Sequence, residues 1–215
     1  MQFVIPPRFV SLVGLPGAGK STLCRSLAHK LNWSTFIIGD ALRAKAALDP
    51  ALREMLDRGE LAPERTAVEL MTEAARAAAG KGLVIDGFPR HREQVTLAQK
   101  LFAPWAILYL RVPVQLVESR LAARFLCPSC KWVGSALDHS SRICPRCGNQ
   151  EVVSRPEDEP AILSKRINEA EVRLAGLLDA LCPEQVLTLD ASSSRDALVE
   201  QAVARLAEYS LAQET

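Results

Sequence analysis

Phe9-Val10-Ser11-Leu12-Val13 is an apolar run that breaks at once into Gly14-Leu15-Pro16-Gly17-Ala18-Gly19-Lys20-Ser21-Thr22. The second stretch fits G-x-x-x-x-G-K-[ST], a loop whose backbone N–H groups curl around a phosphate. Its glycines permit the turn, and the helix expected from about Lys20 to Leu31 adds the positive end of its dipole. In such a loop Lys20 reaches the β- and γ-phosphates and the Ser21 hydroxyl meets Mg²⁺. A strand before the loop and a helix after it imply a nucleoside triphosphate site on an α/β fold.

The rest of the chain keeps that rhythm. Strands are expected at Thr35–Ile38 (closed by Gly39-Asp40), Leu83–Ile85, Ala106–Leu110 and Val186–Leu189. Helices are expected at Asp40–Lys45, Pro50–Arg58, Pro63–Ala79, Arg92–Phe102, Pro113–Phe125, Glu159–Leu181 and Ser194–Ala212, with Gly80 and Gly82 closing the third of these. Strand and helix in alternation predict a parallel five-stranded sheet covered on both faces. At 215 residues with 48% hydrophobic content, the chain can build one such core, and a collagen-like or wholly disordered chain is excluded. The formal net charge of +1 gives no push toward nucleic acid or an anionic membrane. No apolar run approaches the ~20 residues of a membrane span, and Met1–Val10 holds no secretory pattern, so a cytoplasmic protein is expected. The 26 basic residues divide into 19 Arg and 7 Lys, which suits bidentate grip on phosphate or carboxylate and equally fits a biased genomic base composition.

Cys127 to Arg155 breaks the rhythm. Cys127-Pro128-Ser129-Cys130 and Cys144-Pro145-Arg146-Cys147 give C-x₂-C-x₁₃-C-x₂-C, the spacing of a closed four-thiolate Zn²⁺ site. Leu126, Trp132, Val133, Leu137 and Ile143 are too little apolar mass to offset a backbone ordering cost of ~1–2 kcal/mol per residue. Structural zinc, at about 10–16 kcal/mol apparent, can. His139 reads as a solvated loop residue, and Cys24 and Cys182 as buried thiols on helices. The expected division is thus a core of 1–125 and 156–215, a helical region 39–80 within it, and an inserted zinc lid 126–155.

Leu83-Val84-Ile85-Asp86 is a strand ending in a carboxylate, placed to hold Mg²⁺ or its waters. Followed by Gly87-Phe88-Pro89-Arg90, it resembles the adenylate kinase family of nucleoside monophosphate kinases, whose Asp-Gly-Phe-Pro-Arg segment it matches in full. Gly39-Asp40-Ala41-Leu42-Arg43, Asp57-Arg58-Gly59-Glu60-Leu61, Gln94, Arg120, Arg124, Arg155-Pro156-Glu157-Asp158 and Lys165-Arg166 extend the resemblance along nearly the whole chain.

The resemblance implies Mg²⁺-dependent transfer from ATP to AMP, giving two ADP. It implies an ATP site of Gly17, Ala18, Gly19, Lys20, Ser21, Thr22 and Arg120. It implies an AMP site of Ile38, Arg43, Gly87, Arg90, Gln94, Arg155 and Arg166, with Gln94 reading adenine. Lys20, Arg90, Arg124, Arg155 and Arg166 would act on the moving phosphoryl group. Asp40 and Asp86 would hold the waters of Mg²⁺, and Glu157 or Asp158 would secure the arginines. Some family members carry a zinc lid where this insert stands.

This chain departs from the family pattern in three places. Ile37-Ile38 replaces a Ser-Thr pair, the lid is short, and Glu157 replaces the first Asp of the usual pair. Two other readings stay open: a kinase preferring another acceptor such as CMP or UMP, and a P-loop ATPase whose ribbon binds nucleic acid through Lys131, Arg142, Arg146 and Trp132. The expected partners are small molecules, with no membrane partner, and the expected state is a monomer.

Overall fold

The structure, a computed structural model, describes residues 9–78, 81–102, 105–130, 132–137 and 141–212. The expectations for Met1–Arg8, Ala79, Gly80, Lys131 and His139 lie outside these. In chain order the elements are β1 Phe9–Gly14, α1 Lys20–Leu31, β2 Ser34–Ile37, α2 Ile38–Ala46, α3 Pro50–Asp57, α4 Glu64–Ala77 and β3 Leu83–Asp86. Then come α5 Val95–Phe102, β4 Trp105–Arg111, α6 Val114–Ala122, β5 Arg124–Leu126, β6 Val133–Ser135, α7 Pro160–Asp179, β7 Val186–Asp190 and α8 Arg195–Ala212. No helix among the described residues is long and apolar enough to cross a membrane.

Five strands form one sheet in the order β2-β3-β1-β4-β7, every pair parallel. Their near-continuous apolar runs bury on both faces, as parallel sheets require. Val10 and Leu12 of β1 point with Leu108 and Leu110 of β4 into a core closed by α1 and α8. Val13, Leu83, Ile85 and Ile107 face the other way, against α2, α4, α5 and Leu177 of α7. Leu12, wholly buried, contributes roughly 1.5–3 kcal/mol by that burial. In the β1–β3 and β2–β3 registers Leu12 and Ile37 both stand opposite Asp86, so the Gly14–Gly19 loop and the β3 carboxylate meet beyond the same sheet edge. Parallel sheets place ligands there.

Four local expectations are corrected. Ile38 opens α2 instead of ending β2, because its side chain packs beside Leu42 one turn on, and Asp40 in the first turn suits the helix dipole. Gln94 lies in a 3₁₀ turn, Arg92–Gln94, that precedes α5. The helix expected through Phe125 stops at Ala122, and Arg124 opens a strand, because the Phe125 ring packs with Cys127, Cys144 and Val152. Cys182 is neither helical nor buried: α7 ends at Asp179, Pro183 prevents its continuation, and the exposed thiol donates to Glu184 Oε2 at 2.6 Å.

The insertion is a small unit of its own. β5 and β6 pair antiparallel, and Leu126 bridges to Val153. Its apolar centre is Phe125, Cys127, Cys144 and Val152, with Trp132 packed on it and the Arg142 guanidinium 5.4 Å from the Phe125 ring centroid. Trp132 also folds over Gly134, where a Cβ would stand 1.8 Å from its ring.

Candidate active site

One cavity of about 620 Å³ opens beyond the carboxyl ends of the strands, bounded by the glycine loop, α2, α3, α6, α7 and the edge of β6. The loop is built around glycine. Gly17 has φ +78°, and a Cβ there would stand 2.8 Å from Leu121 Cγ on α6. Lys20 Nζ curls back to donate to the carbonyls of Gly14 (2.8 Å) and Leu15 (2.7 Å). The Ser21 hydroxyl donates to Asp86 Oδ2. These two side chains are an oxygen donor set suited to a hard divalent cation.

Asp86 lines the cavity, as does Asp40, but their surroundings differ. Both carboxylate oxygens of Asp40 are taken, by Arg25 Nη2 and Arg43 Nη2, each at 2.7 Å. Asp40 therefore ties α1 to α2.

Positive charge dominates the walls. Among the described residues the lining holds ten basic side chains and five acidic ones. Arg43, Gly87, Arg90, Arg120, Arg124, Arg155 and Arg166 all line it, as do Gly17, Ala18, Gly19, Lys20, Ser21 and Thr22. Asp158, not Glu157, secures two of the arginines. Arg124 grips it with Nε (2.7 Å) and Nη2 (2.6 Å), and Arg166 Nη1 donates to Oδ1 at 2.7 Å. Arg155 is 3.7 Å from Glu157, and its buried Nε has no hydrogen-bond partner.

Burial pushes the Lys20 ammonium down to about 8, a shift Asp86 opposes and Arg90, Arg166 and Arg124 deepen. Burial, then neighbouring arginines, likewise draw Arg90 and Arg155 below the usual guanidinium range. An anion entering this cavity offsets the repulsion among these cations and favours their charged forms.

Two expected base contacts are not brought to the cavity. Ile38 is 2% exposed and packs in the core. Its Cγ2 lies so near Gly87 that a Cβ there would meet it at 2.9 Å. Gln94 is 4% exposed: Oε1 accepts from the Arg90 N–H at 2.8 Å, and Nε2 donates to Glu64 Oε2 at 3.1 Å. The same Glu64 oxygen is 3.2 Å from His91 Nε2. Both residues thus brace the Gly87–Arg90 turn from behind.

The cavity also includes side chains that the motif reading passed over. Arg173 stands seven residues after Arg166 on α7, a spacing that alone puts both on one helix face. Ser193 and Ser194 line it from the turn after β7, where a serine run closes a predicted strand, and Arg195 from the start of α8. Arg25 carries no sequence signal of its own.

In the lid the four cysteines converge. Their Sγ atoms all lie within 4.8 Å of one another, with Cys127–Cys147 at 3.6 Å and Cys130–Cys144 at 3.5 Å. A tetrahedral ion with Zn–S near 2.3 Å sets S···S edges of about 3.8 Å, so the cluster has the dimensions for zinc. The backbone N–H of Cys130 draws the Cys127 thiol down, toward the thiolate a metal needs, while burial and the other three thiols push Cys147 up.

Comparison with known proteins agrees with this arrangement. The adenylate kinase family model matches residues 12–186. An adenylate kinase of Chlamydia felis is 31% identical over 180 residues, covering 80% of this chain and 84% of its own. That of Chlamydia muridarum is 28% identical, covering 87% and 82%, and that of Lactobacillus gasseri 28%, covering 73% and 78%. The matched span runs from β1, before the phosphate-binding loop, to the first residue of β7, and so takes in the acidic end of β3, the cysteine lid and the α7 arginines. With that much of the cavity inside the match, the chain belongs to the adenylate kinase family and is a nucleoside monophosphate kinase, a phosphotransferase.

Proposed function

We propose that this kinase moves the γ-phosphoryl group of ATP to AMP with the residues of the cationic cavity beyond the strand ends. The observation that carries the reading is the convergence there of the Lys20 loop with Arg43, Arg90, Arg124, Arg155 and Arg166. The acceptor oxygen is already anionic near neutral pH, so the site needs position and charge and no base. Lys20 and the loop amides hold the donor phosphates. Arg43 and Arg90 grip the acceptor phosphate. Arg124, Arg155 and Arg166 neutralise the group in transit, and the excess of cations suits ligands carrying about −2 on each terminal phosphate. Mg²⁺ arriving with ATP would be held by Ser21 and Asp86 and would supply charge on the β- and γ-oxygens. Asp40, occupied by two arginines, serves as a tie.

Acceptor choice is tested by kcat/KM for AMP, CMP, UMP and GMP in an ADP-production assay. AMP is expected to rank first. A second reading, preference for another monophosphate, is favoured by the engagement of Gln94 with Glu64 and the burial of Ile38. CMP or UMP ranking above AMP would establish that reading instead.

The Lys20 value gives a pH expectation with a definite sign. In the ligand-free chain the ammonium loses its proton as pH rises through about 8, and the triphosphate binds the charged form. The Kd for ATP should therefore be flat below about pH 7.5 and rise above about pH 8. Calorimetric titration across that window checks it, and a flat profile to about pH 9.5 refutes it.

Cys127, Cys130, Cys144 and Cys147 would hold one Zn²⁺, which supplies the cross-link that a four-residue apolar centre cannot. Elemental analysis of metal-replete protein should return one zinc per chain. Chelation should loosen the lid while the far-ultraviolet circular dichroism of the sheet and helices persists, because lid and core are separate packing clusters. A metal content well below one per chain would remove the assignment.

A further inference from the structure

The acceptor half of the cavity has a charged end and an apolar wall. Leu42, Leu56 and Leu61 form part of that wall, and α7 supplies Ala170, Leu174 and Leu177. On α7 Arg166 belongs to the phosphate end. Arg173 lies seven residues on, about 10.5 Å along the helix axis, between Ala170 and Leu174. It lines the same cavity. Its hydrogen-bond partner is Glu169 on its own helix, at 3.2 Å, a half-exposed pair of the kind that adds little to stability. Its planar fork is otherwise available to donate into the cavity. The same helix packs against the Arg92–Gln94 turn, where the buried amide of Gln94 bonds the Arg90 N–H and Glu64.

An acceptor whose phosphate rests on Arg43 and Arg90 lays its nucleoside along the apolar wall. Seven residues beyond Arg166 on the same helix face, the Arg173 guanidinium is set to meet the nucleoside part of that acceptor. We infer that Arg173 is a further acceptor-binding residue, donating to ring nitrogens or carbonyl oxygens of the base at the apolar end of the cavity, which the buried Gln94 does not line. The inference rests on the phosphoryl-transfer reading of the cavity and adds to it which side chain reads the base. Arg offers only donors, and every common base carries acceptor atoms, so this contact holds a base without choosing sharply among them.

The test uses the full chain with Arg173→Met, which keeps length without charge, and Arg173→Lys, which keeps charge without the fork. Calorimetry measures AMP and ribose 5-phosphate separately, and kinetics give KM for ATP and AMP. Arg173→Met should weaken AMP about tenfold and ribose 5-phosphate less than twofold, with KM for ATP and kcat within twofold of wild type. Arg173→Lys should fall between wild type and Arg173→Met. Equal weakening of AMP and ribose 5-phosphate would place Arg173 on the phosphate and overturn the inference, as would unchanged AMP affinity or a raised KM for ATP. Should the four-acceptor assay rank another monophosphate above AMP, the same comparison is run with that nucleotide, so losing AMP as acceptor leaves this test standing.

Discussion

Arg90→Ala is expected to lower kcat/KM for phosphoryl transfer by at least about a hundredfold, near 2.7 kcal/mol of transition-state stabilisation, while the fold persists. Arg90 sits in the Gly87–Arg90 turn, where its Nε donates to the Gly87 carbonyl at 2.8 Å and its N–H to Gln94 Oε1 at 2.8 Å. Gly87 holds φ +85°, and a Cβ there would be 3.0 Å from Arg90 Nη2, so the turn presses backbone and guanidinium together. The backbone bond to Gln94 survives truncation. The cation it removes is held against its own desolvation, attracted by Asp86 and repelled by Arg166, Arg43 and Arg173, so its loss in the ligand-free protein costs one attraction and relieves desolvation and repulsion. Thermal unfolding and circular dichroism should stay near wild type as activity collapses. A folded variant retaining more than a tenth of wild-type kcat/KM would falsify the assignment.

Asp158→Asn should cost both stability and turnover. The carboxylate is 1% exposed and serves two arginines, Arg124 in bidentate fashion and Arg166 through Oδ1, each itself less than a fifth exposed. Removing one partner of a buried ionic network typically costs about 3–5 kcal/mol, because the remaining charge is stranded. For a chain of this size that corresponds to a fall in Tm of roughly 6–20 °C. Both arginines line the cavity, so losing their common anchor should also lower kcat by about tenfold or more, since position is most of what this reaction asks of the protein. Differential scanning calorimetry and steady-state kinetics check the two effects together. A Tm within about 2 °C of wild type with kcat within threefold would show that Asp158 anchors neither arginine.

These two residues were legible to different degrees. Arg90 stands inside a contiguous five-residue motif, and short motifs survive in sequence because one local turn creates their geometry. Asp158 was one of two adjacent carboxylates, and nothing in Glu157-Asp158 says which of them points inward. The 3₁₀ turn Pro156–Asp158 settles that by burying Asp158 and leaving Glu157 on the cavity wall. The cysteine knuckles were legible because each pair lies within four residues. Cys182 was misjudged because helical periodicity near a chain turn says little about which side of the turn faces water.

The sheet, its parallel connections, the phosphate-binding loop and the cysteine lid were determined by the sequence alone, since each depends on apolar period or on close spacing along the chain. What only the tertiary structure decided lies between elements. Ile38 turned out to be a core residue because the first turn of α2 rotates it against Gly87 and Leu42. Gln94 was taken up by Glu64, 30 residues earlier. Arg173 was brought to the cavity wall because α7 crosses that side of the cavity. Side-chain partners separated by tens of residues are chosen by packing, and a single chain read along its length carries no record of that choice.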